Sequence, residues 1–247
     1  MDKDYSNYCG SKAYDAALVT VPHFSDDKYP EMMPWIGADY LEQEAKVLII
    51  GESHYFNNDF TVHHDPNTWY SRTFHESLDS RVGHRVRYQI TRAIGGHFRR
   101  KSAHPMHQNI EKVLGKTNCF ETGSGKHFDA IAYLNYFQRP ANRKGGSIAA
   151  QPQDLSIARE TIEKVVEIIE PDLILFASVK AYKAAKESGF LSTLNIPVDY
   201  SAHPCSAHWN KACKKYGKFK GENVGAISGS KRFAIALERM LVASKTV

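Results

Sequence analysis

Residues 46–55 read Lys-Val-Leu-Ile-Ile-Gly-Glu-Ser-His-Tyr. Val47 to Ile50 is an unbroken apolar run rich in β-branched residues, and at Gly51 it gives way to polar ones. Without alternation, such a run is the pattern of a strand covered on both faces, as in a parallel sheet flanked by helices. A glycine at its end lets the backbone turn sharply or lets a ligand come close. Ligands of open α/β sheets bind beyond the carboxyl ends of the strands. Glu52, Ser53, His54 and Tyr55 are therefore expected at the mouth of a cleft. A solvated loop after a core strand is the ordinary alternative. The arrival together of a carboxylate, a hydroxyl, an imidazole and a phenol favours a site.

Three further segments repeat the pattern of an apolar run with a polar end. Asp129 to Asn135 reads as a second strand, Leu173 to Ala177 as a third and Ile196 to Tyr200 as a fourth. Between them lie helical patterns. Ala158, Ile162, Val165, Val166 and Ile169 form one stripe behind Asp154, a candidate N-cap, and Pro171 stops that helix. Ser178 can cap the next helix and Gly189 can end it. A closing helix spans about Ser230 to Ser244, with Phe233, Leu237, Met240 and Leu241 facing in. Strands alternating with helices predict a three-layer α/β/α fold around a central four-stranded parallel sheet. One domain over residues 1–247 is expected, with 1–45 as an irregular N-terminal arm holding a short helix near Ser11–Leu18.

The 247 residues are enough for a sizeable core, and 42% hydrophobic with 11% aromatic excludes a disordered chain. Lys and Arg total 32 against 27 Asp and Glu, a net +5 that permits an anionic partner without requiring one. The basic residues cluster. Residues 81–101 carry Arg81, Arg85, Arg87, Arg92, Arg99, Arg100 and Lys101, with Val82, Val86, Ile90 and Ile94 as an apolar stripe. Lys211, Lys214, Lys215, Lys218 and Lys220 follow later. Such segments are ordinarily solvated helix faces and loops, and they are also what phosphate contact requires. Cys9, Cys119, Cys205 and Cys213 form no Cys-x-x-Cys pair, which leaves a zinc knuckle and a redox motif unsupported. Gly123-Ser124-Gly125-Lys126 fails as a phosphate loop, because Phe120 stands where the first glycine belongs and His127 where a hydroxyl should meet magnesium. No signal peptide and no membrane-length apolar stretch is present, so a reduced, cytoplasmic protein is expected.

In order, the strand ends read Gly51-Glu52-Ser53-His54-Tyr55, then Tyr133-Leu134-Asn135, then His203-Pro204-Cys205-Ser206. This series resembles the uracil-DNA glycosylase superfamily, whose first motif reads Gly-Gln-Asp-Pro-Tyr or Gly-Glu-x-Pro, whose second ends in Leu-Asn and whose last is His-Pro-Ser. The likeness runs from about Val47 to Trp209. It implies that Asn135 reads the edge of a flipped pyrimidine, that His203 donates to the base oxygen, and that Tyr55, with Gly51 and His54 beside it, walls the pocket. It also implies that Ser206 and Trp209 belong to a loop entering the minor groove, with Trp209 as the wedge. Lys211, Arg85 and Arg92 would then hold DNA phosphates. The implied reaction is hydrolysis of an N-glycosidic bond. The base must leave the stack to be reached, and a donor aimed at the departing base stabilises the transition state more than the ground state.

Two departures bear on activity. Ser53 stands where the family's water-activating Asp belongs, so Glu52 becomes the expected catalytic carboxylate, with Ser53 beside it. The four Cys do not match the spacing of the family's iron–sulfur branches, so no cofactor or metal is expected. The stacking aromatic is open among Phe56, Trp69, Tyr70 and Phe74. Taken singly, each residue has an ordinary reading: Asn135 as a turn cap, His203 as a satisfied histidine before a proline, Glu52 as an arginine partner, Tyr55 and Trp209 as packing aromatics. Two other functions stay open. One is a non-catalytic nucleic-acid or nucleotide-binding protein on the same fold, favoured by Ser53. The other is a metal-dependent hydrolase using His54, His63, His64 and Asp65 near Glu52. The expected partner is DNA, single- or double-stranded, and the expected state a monomer.

Overall fold

Strand β1 spans Trp35–Ile36, β2 Val47–Gly51, β3 Ile131–Asn135, β4 Leu173–Phe176 and β5 Val198–Tyr200. They form one sheet in the order β1-β3-β2-β4-β5, with β2 to β5 parallel and β1 antiparallel to β3. The computed structural model describes residues 10–25, 28–55, 61–71, 87, 90, 105–143 and 146–244. Every residue of β2, β3 and β4 is buried, because both faces of the sheet are covered.

Among the described residues, the helices are α1 (Asp15–Leu18), α2 (Pro66–Tyr70), α3 (Pro105–Thr117), α4 (Pro152–Ile169), α5 (Val179–Glu187) and α6 (Gly229–Ser244). Alternate strand residues point to opposite faces. Leu48, Ile50, Ala132, Leu134, Ile174 and Phe176 meet Ile162 and Val165 of α4 and Ala181 and Ala185 of α5. Val47, Ile49, Ile131, Tyr133, Leu173 and Leu175 meet Ile110 and Leu114 of α3 and Phe233, Leu237 and Met240 of α6. The layers are thus helix, sheet, helix. Among the described residues no helix is long and apolar enough to cross a membrane.

Two expectations are corrected here. The central sheet has five strands where four were expected, because Trp35–Ile36 pairs with Tyr133 and Ala132 on the outer edge of β3. Two residues before a glycine carry no periodicity, so this strand has no sequence signal. The described part of the 1–45 segment is irregular in path, but it is no arm. Leu18, Val21, Phe24, Tyr29, Ile36 and Tyr40 are all buried in the core beside α4. Short 3-10 turns at Pro22–Phe24, Pro30–Met32 and Tyr40–Glu42 seat these side chains one at a time. In the basic segment 81–101 only Arg87 and Ile90 are described. Ile90 is buried in the core beside α3, and Arg87 forks onto the Asp15 carboxylate at 2.6 and 2.9 Å. Arg85 and Arg92 lie outside the described residues.

The connections place a crevice. β2 leads to β3 on one side of the sheet, and β4 leads to β5 on the other. Strands that depart in opposite directions leave an opening between their carboxyl ends, where ligands of such sheets bind. Here the opening lies between Gly51-Glu52 and Ala177-Ser178.

Arg139 holds the loops that rim this opening. It is fully buried and uses its entire guanidinium fork: Asp154 takes two bonds at 2.7 and 2.8 Å, and His63 O, Asn142 Oδ1 and Ala149 O take the others. Asp154 also accepts from Tyr70 Oη and from the Gln151 backbone N–H. Asp154 is therefore the third residue of a capping box whose N-cap is Gln151, and is not the N-cap itself. One buried ion pair ties residues 63–70, 139–142 and 149–154 together. Removing one partner of such a pair strands a charge. Asp154→Asn is expected to lose about 3–5 kcal/mol in urea unfolding, and the double variant Arg139→Met, Asp154→Leu less than the sum of its parts.

Candidate functional site

The site begins with the grip on the end of β2. Ala177 N donates to Ile50 O, Tyr136 N to Gly51 O, Phe137 N to Glu52 O and Ala141 N to His54 O, all at 2.8–3.1 Å. Residues 51–54 are thereby fixed as an extension of the sheet, not a free loop. Gly51 stands opposite Asn135. A Cβ there would meet Tyr133 Oη at 2.0 Å and Asn135 Oδ1 at 2.3 Å, so only glycine fits.

Glu52 projects into the crevice, half-buried. Its carboxylate accepts from Ser178 Oγ at 2.8 Å and from Ser147 Oγ at 2.5 Å. Ser178 also caps α5, accepting from Lys180 N and Ala181 N, so the acid is anchored to the helix that follows β4. Lys180 Nζ in turn donates to Ile148 O, which fastens the 146–149 segment over the crevice beside Glu52. The cap at Ser178 was legible in sequence; its bond to Glu52 was not, since 126 residues separate them.

Ser53 is 7% exposed, and its hydroxyl has no hydrogen-bond partner among the described residues. His54 and Asn135 are buried side by side, Asn135 Nδ2 lying 3.2 Å from His54 Nε2. Asn135 Oδ1 accepts from Tyr133 Oη at 2.9 Å. Burial drives the Tyr133 phenol well above its ordinary range, with Tyr55, Cys205 and Glu52 adding to the effect, so it remains a donor. Tyr55 is half-buried, and burial with the nearby Glu52 and Cys205 pushes its phenol up to about 12.

His203 enters from the end of β5. Its Nδ1 accepts from the Cys205 backbone N–H at 3.2 Å, and Asn109 Nδ2 of α3 holds the next carbonyl, Pro204 O, at 2.9 Å. With Nδ1 occupied as an acceptor, the neutral ring carries its proton on Nε2. Burial lowers the His203 pKa below its ordinary 6.5, and the Glu52 carboxylate opposes that shift. Glu52, Tyr55, Tyr133 and Cys205 are electrostatically coupled neighbours, and Glu52 acts on His203 as well. The strand ends thus bring together a carboxylate, a neutral imidazole N–H, an amide and a phenol.

Trp209 is corrected from its expected role. It is 2% exposed, with its ring edge-on to Phe233 at 5.8 Å, and so has no face to insert between bases. The exposed residues of its loop are Cys205, Ala207, His208 and Asn210. Ser206 takes part in the turn through its backbone, donating to His203 O and accepting from Trp209 N. Trp69 and Tyr70 are likewise core residues: Trp69 stacks on Tyr29 at 4.5 Å and donates to Gln138 O. Phe56 and Phe74 lie outside the described residues. His63 and His64 spend ring nitrogens on Ala141 O and Asn142 O, and Asp65 caps α2. Among the described residues no three His, Cys, Asp or Glu side chains are grouped to hold a metal ion.

Beside the His203 loop, Lys211, Lys214, Lys215, Lys218 and Lys220 are exposed. Arg232 of α6, 2% exposed, ties this segment to β5 through Tyr200 O, Tyr216 O, Lys218 O and Asp199. At the other end of the strands, a cavity of about 1060 Å³ is lined by Asp39, Glu42, Glu44, Glu121 and Glu238. Among the described residues, exposed lysines thus gather beside the His203 loop and carboxylates around this cavity. Compared with known proteins, the chain matches no protein-family model and no curated protein.

A neutral His203 sets a pH test. The ring charges only once pH falls below 6.5, so its NMR titration midpoint is expected below 6.5. Because Glu52 favours the imidazolium, Glu52→Gln is expected to lower that midpoint further. A midpoint above 6.5, or one that rises in Glu52→Gln, contradicts this electrostatic account.

Proposed function

We propose that the chain is a base-excision N-glycosylase of the uracil-DNA glycosylase type, acting on a flipped uracil or related damaged base in DNA. The observation that carries the reading is the His203 ring, whose Nδ1 accepts from the Cys205 N–H and leaves Nε2 to donate, on the same side of the sheet, beyond the carboxyl ends of the strands, as Glu52 and Asn135. Each group has a role in breaking the bond between C1′ of the sugar and the ring nitrogen of the base. The electron pair leaves with the base, and the Nε2–H donates to its oxygen as negative charge grows there. Asn135 keeps one N–H and one lone pair beyond its two bonds, enough for two contacts with a base edge. Glu52 supplies negative charge to the oxocarbenium-like sugar and accepts a proton from the water that adds to C1′. Ser53 has no charge to give; its hydroxyl is a candidate to orient that water. Tyr55 lines the pocket, and the lysines at 211–220 hold phosphates.

A second reading, a binding protein without catalysis, is favoured by the two serine hydroxyls on Glu52. A carboxylate already accepting from Ser147 and Ser178 has fewer lone pairs left to receive a water.

Oligonucleotides bearing uracil, hypoxanthine or xanthine, single- and double-stranded, separate the two. Cleavage is expected with at least one of them, reduced about 10²–10³-fold in His203→Ala and about 10²–10⁴-fold in Glu52→Gln. Binding without cleavage on every substrate would establish the second reading, and absence of both would discard the first and second alike. Replacing Lys211, Lys214 and Lys215 with Ala is expected to weaken binding to all sequences alike. It is also expected to flatten the slope of log K against log salt by about one for each phosphate no longer held.

A further inference from the structure

Tyr133, Asn135 and His54 form a hydrogen-bond chain over Gly51 that catalysis as proposed does not require. Tyr133 Oη meets Asn135 Oδ1 at 2.9 Å, and Asn135 Nδ2 meets His54 Nε2 at 3.2 Å. The three residues are 1%, 6% and 4% exposed, and the glycine beneath them is the residue whose Cβ would collide with the first two.

The two ends of a side-chain amide have nearly the same shape, so hydrogen-bond partners decide which way it faces. Tyr133 Oη can either donate or accept, and so tolerates both ends. A histidine nitrogen does not. Without a hydrogen, Nε2 takes only the amide Nδ2; with one, it takes only Oδ1. The tautomer of His54 therefore decides where Asn135 places its remaining N–H and its remaining lone pair. Turning the amide over exchanges them.

We infer that His54 is a positioning residue for base specificity: by accepting at Nε2, it holds Asn135 in the one orientation that matches a base edge with a carbonyl next to an N–H. An edge with an amino group and a bare ring nitrogen at the same two places, as in cytosine, then meets a donor with a donor and a lone pair with a lone pair. Unpaired polar groups of that kind are what make a buried site reject a near-isostere. The inference rests on Asn135 reading the base, as proposed above, and its test separates the two.

The first measurement uses the full chain without ligand. In the ¹⁵N-labelled protein, long-range ¹H–¹⁵N correlations report the His54 tautomer, with His54→Gln identifying the signals. A neutral ring protonated on Nδ1 is expected; protonation on Nε2 overturns the inference. The second measurement titrates free uracil and free cytosine into wild type, His54→Phe and His54→Gln. His54→Phe, with no acceptor, is expected to narrow the preference for uracil by about tenfold or more. His54→Gln, whose Oε1 can accept in the same place, is expected to retain most of it. A folded His54→Phe with undiminished preference overturns the inference. Should His54→Phe fail to fold, a His54→Gln that loses the preference despite an Nδ1–H wild type overturns it instead. Wild type that binds neither base, with His54 protonated on Nδ1, sinks Asn135 as a base reader and the specificity role with it, while the amide orientation stands.

Discussion

The loops around the crevice depend on one buried ion pair. Arg139 and Asp154 are both fully buried, and between them they use every guanidinium N–H and join three chain segments. Two opposite charges in a dry interior have no competing water, so each must be satisfied by the other and by fixed backbone carbonyls. That demand holds residues 139–142 and 149–151 against α4. From there Ser147 reaches Glu52 and Ile148 O reaches Lys180. The acid at the mouth of the crevice is thus positioned from behind by a pair that never touches it.

The sheet end imposes a second constraint, of space. β2 and β3 bring Gly51 opposite Asn135, and the phenol of Tyr133 lies in the room that a side chain at 51 would take. A buried hydrogen-bond chain forms there because enclosed polar groups are costly to leave unpaired. The same closeness that makes the glycine necessary encloses the Asn135 amide between Tyr133 and His54.

Among the described residues, one group of lysines and one group of carboxylates stand at opposite ends of the strands. Lysines 211–220 surround the His203 loop, while five carboxylates line the cavity at the opposite end. A net charge of +5 conceals this separation.

The sequence by itself determined the parallel core. Val47–Ile50, Ile131–Leu134 and Leu173–Phe176 are continuous apolar runs, and burial on both faces is what such runs require. The polar residues that end them are local properties too, which is why Glu52, Asn135 and His203 were legible as neighbours. Tertiary structure alone decided the rest. Trp35–Ile36 became a strand only because β3 offered an open edge. Trp209, Trp69 and Tyr70 went into the core, a choice composition does not make for an amphipathic aromatic. Ser178 and Ser147 met Glu52, and His54 met Asn135, across 126, 95 and 81 residues. Contacts at such separations leave no period and no local motif, and they exist only once the strands are side by side.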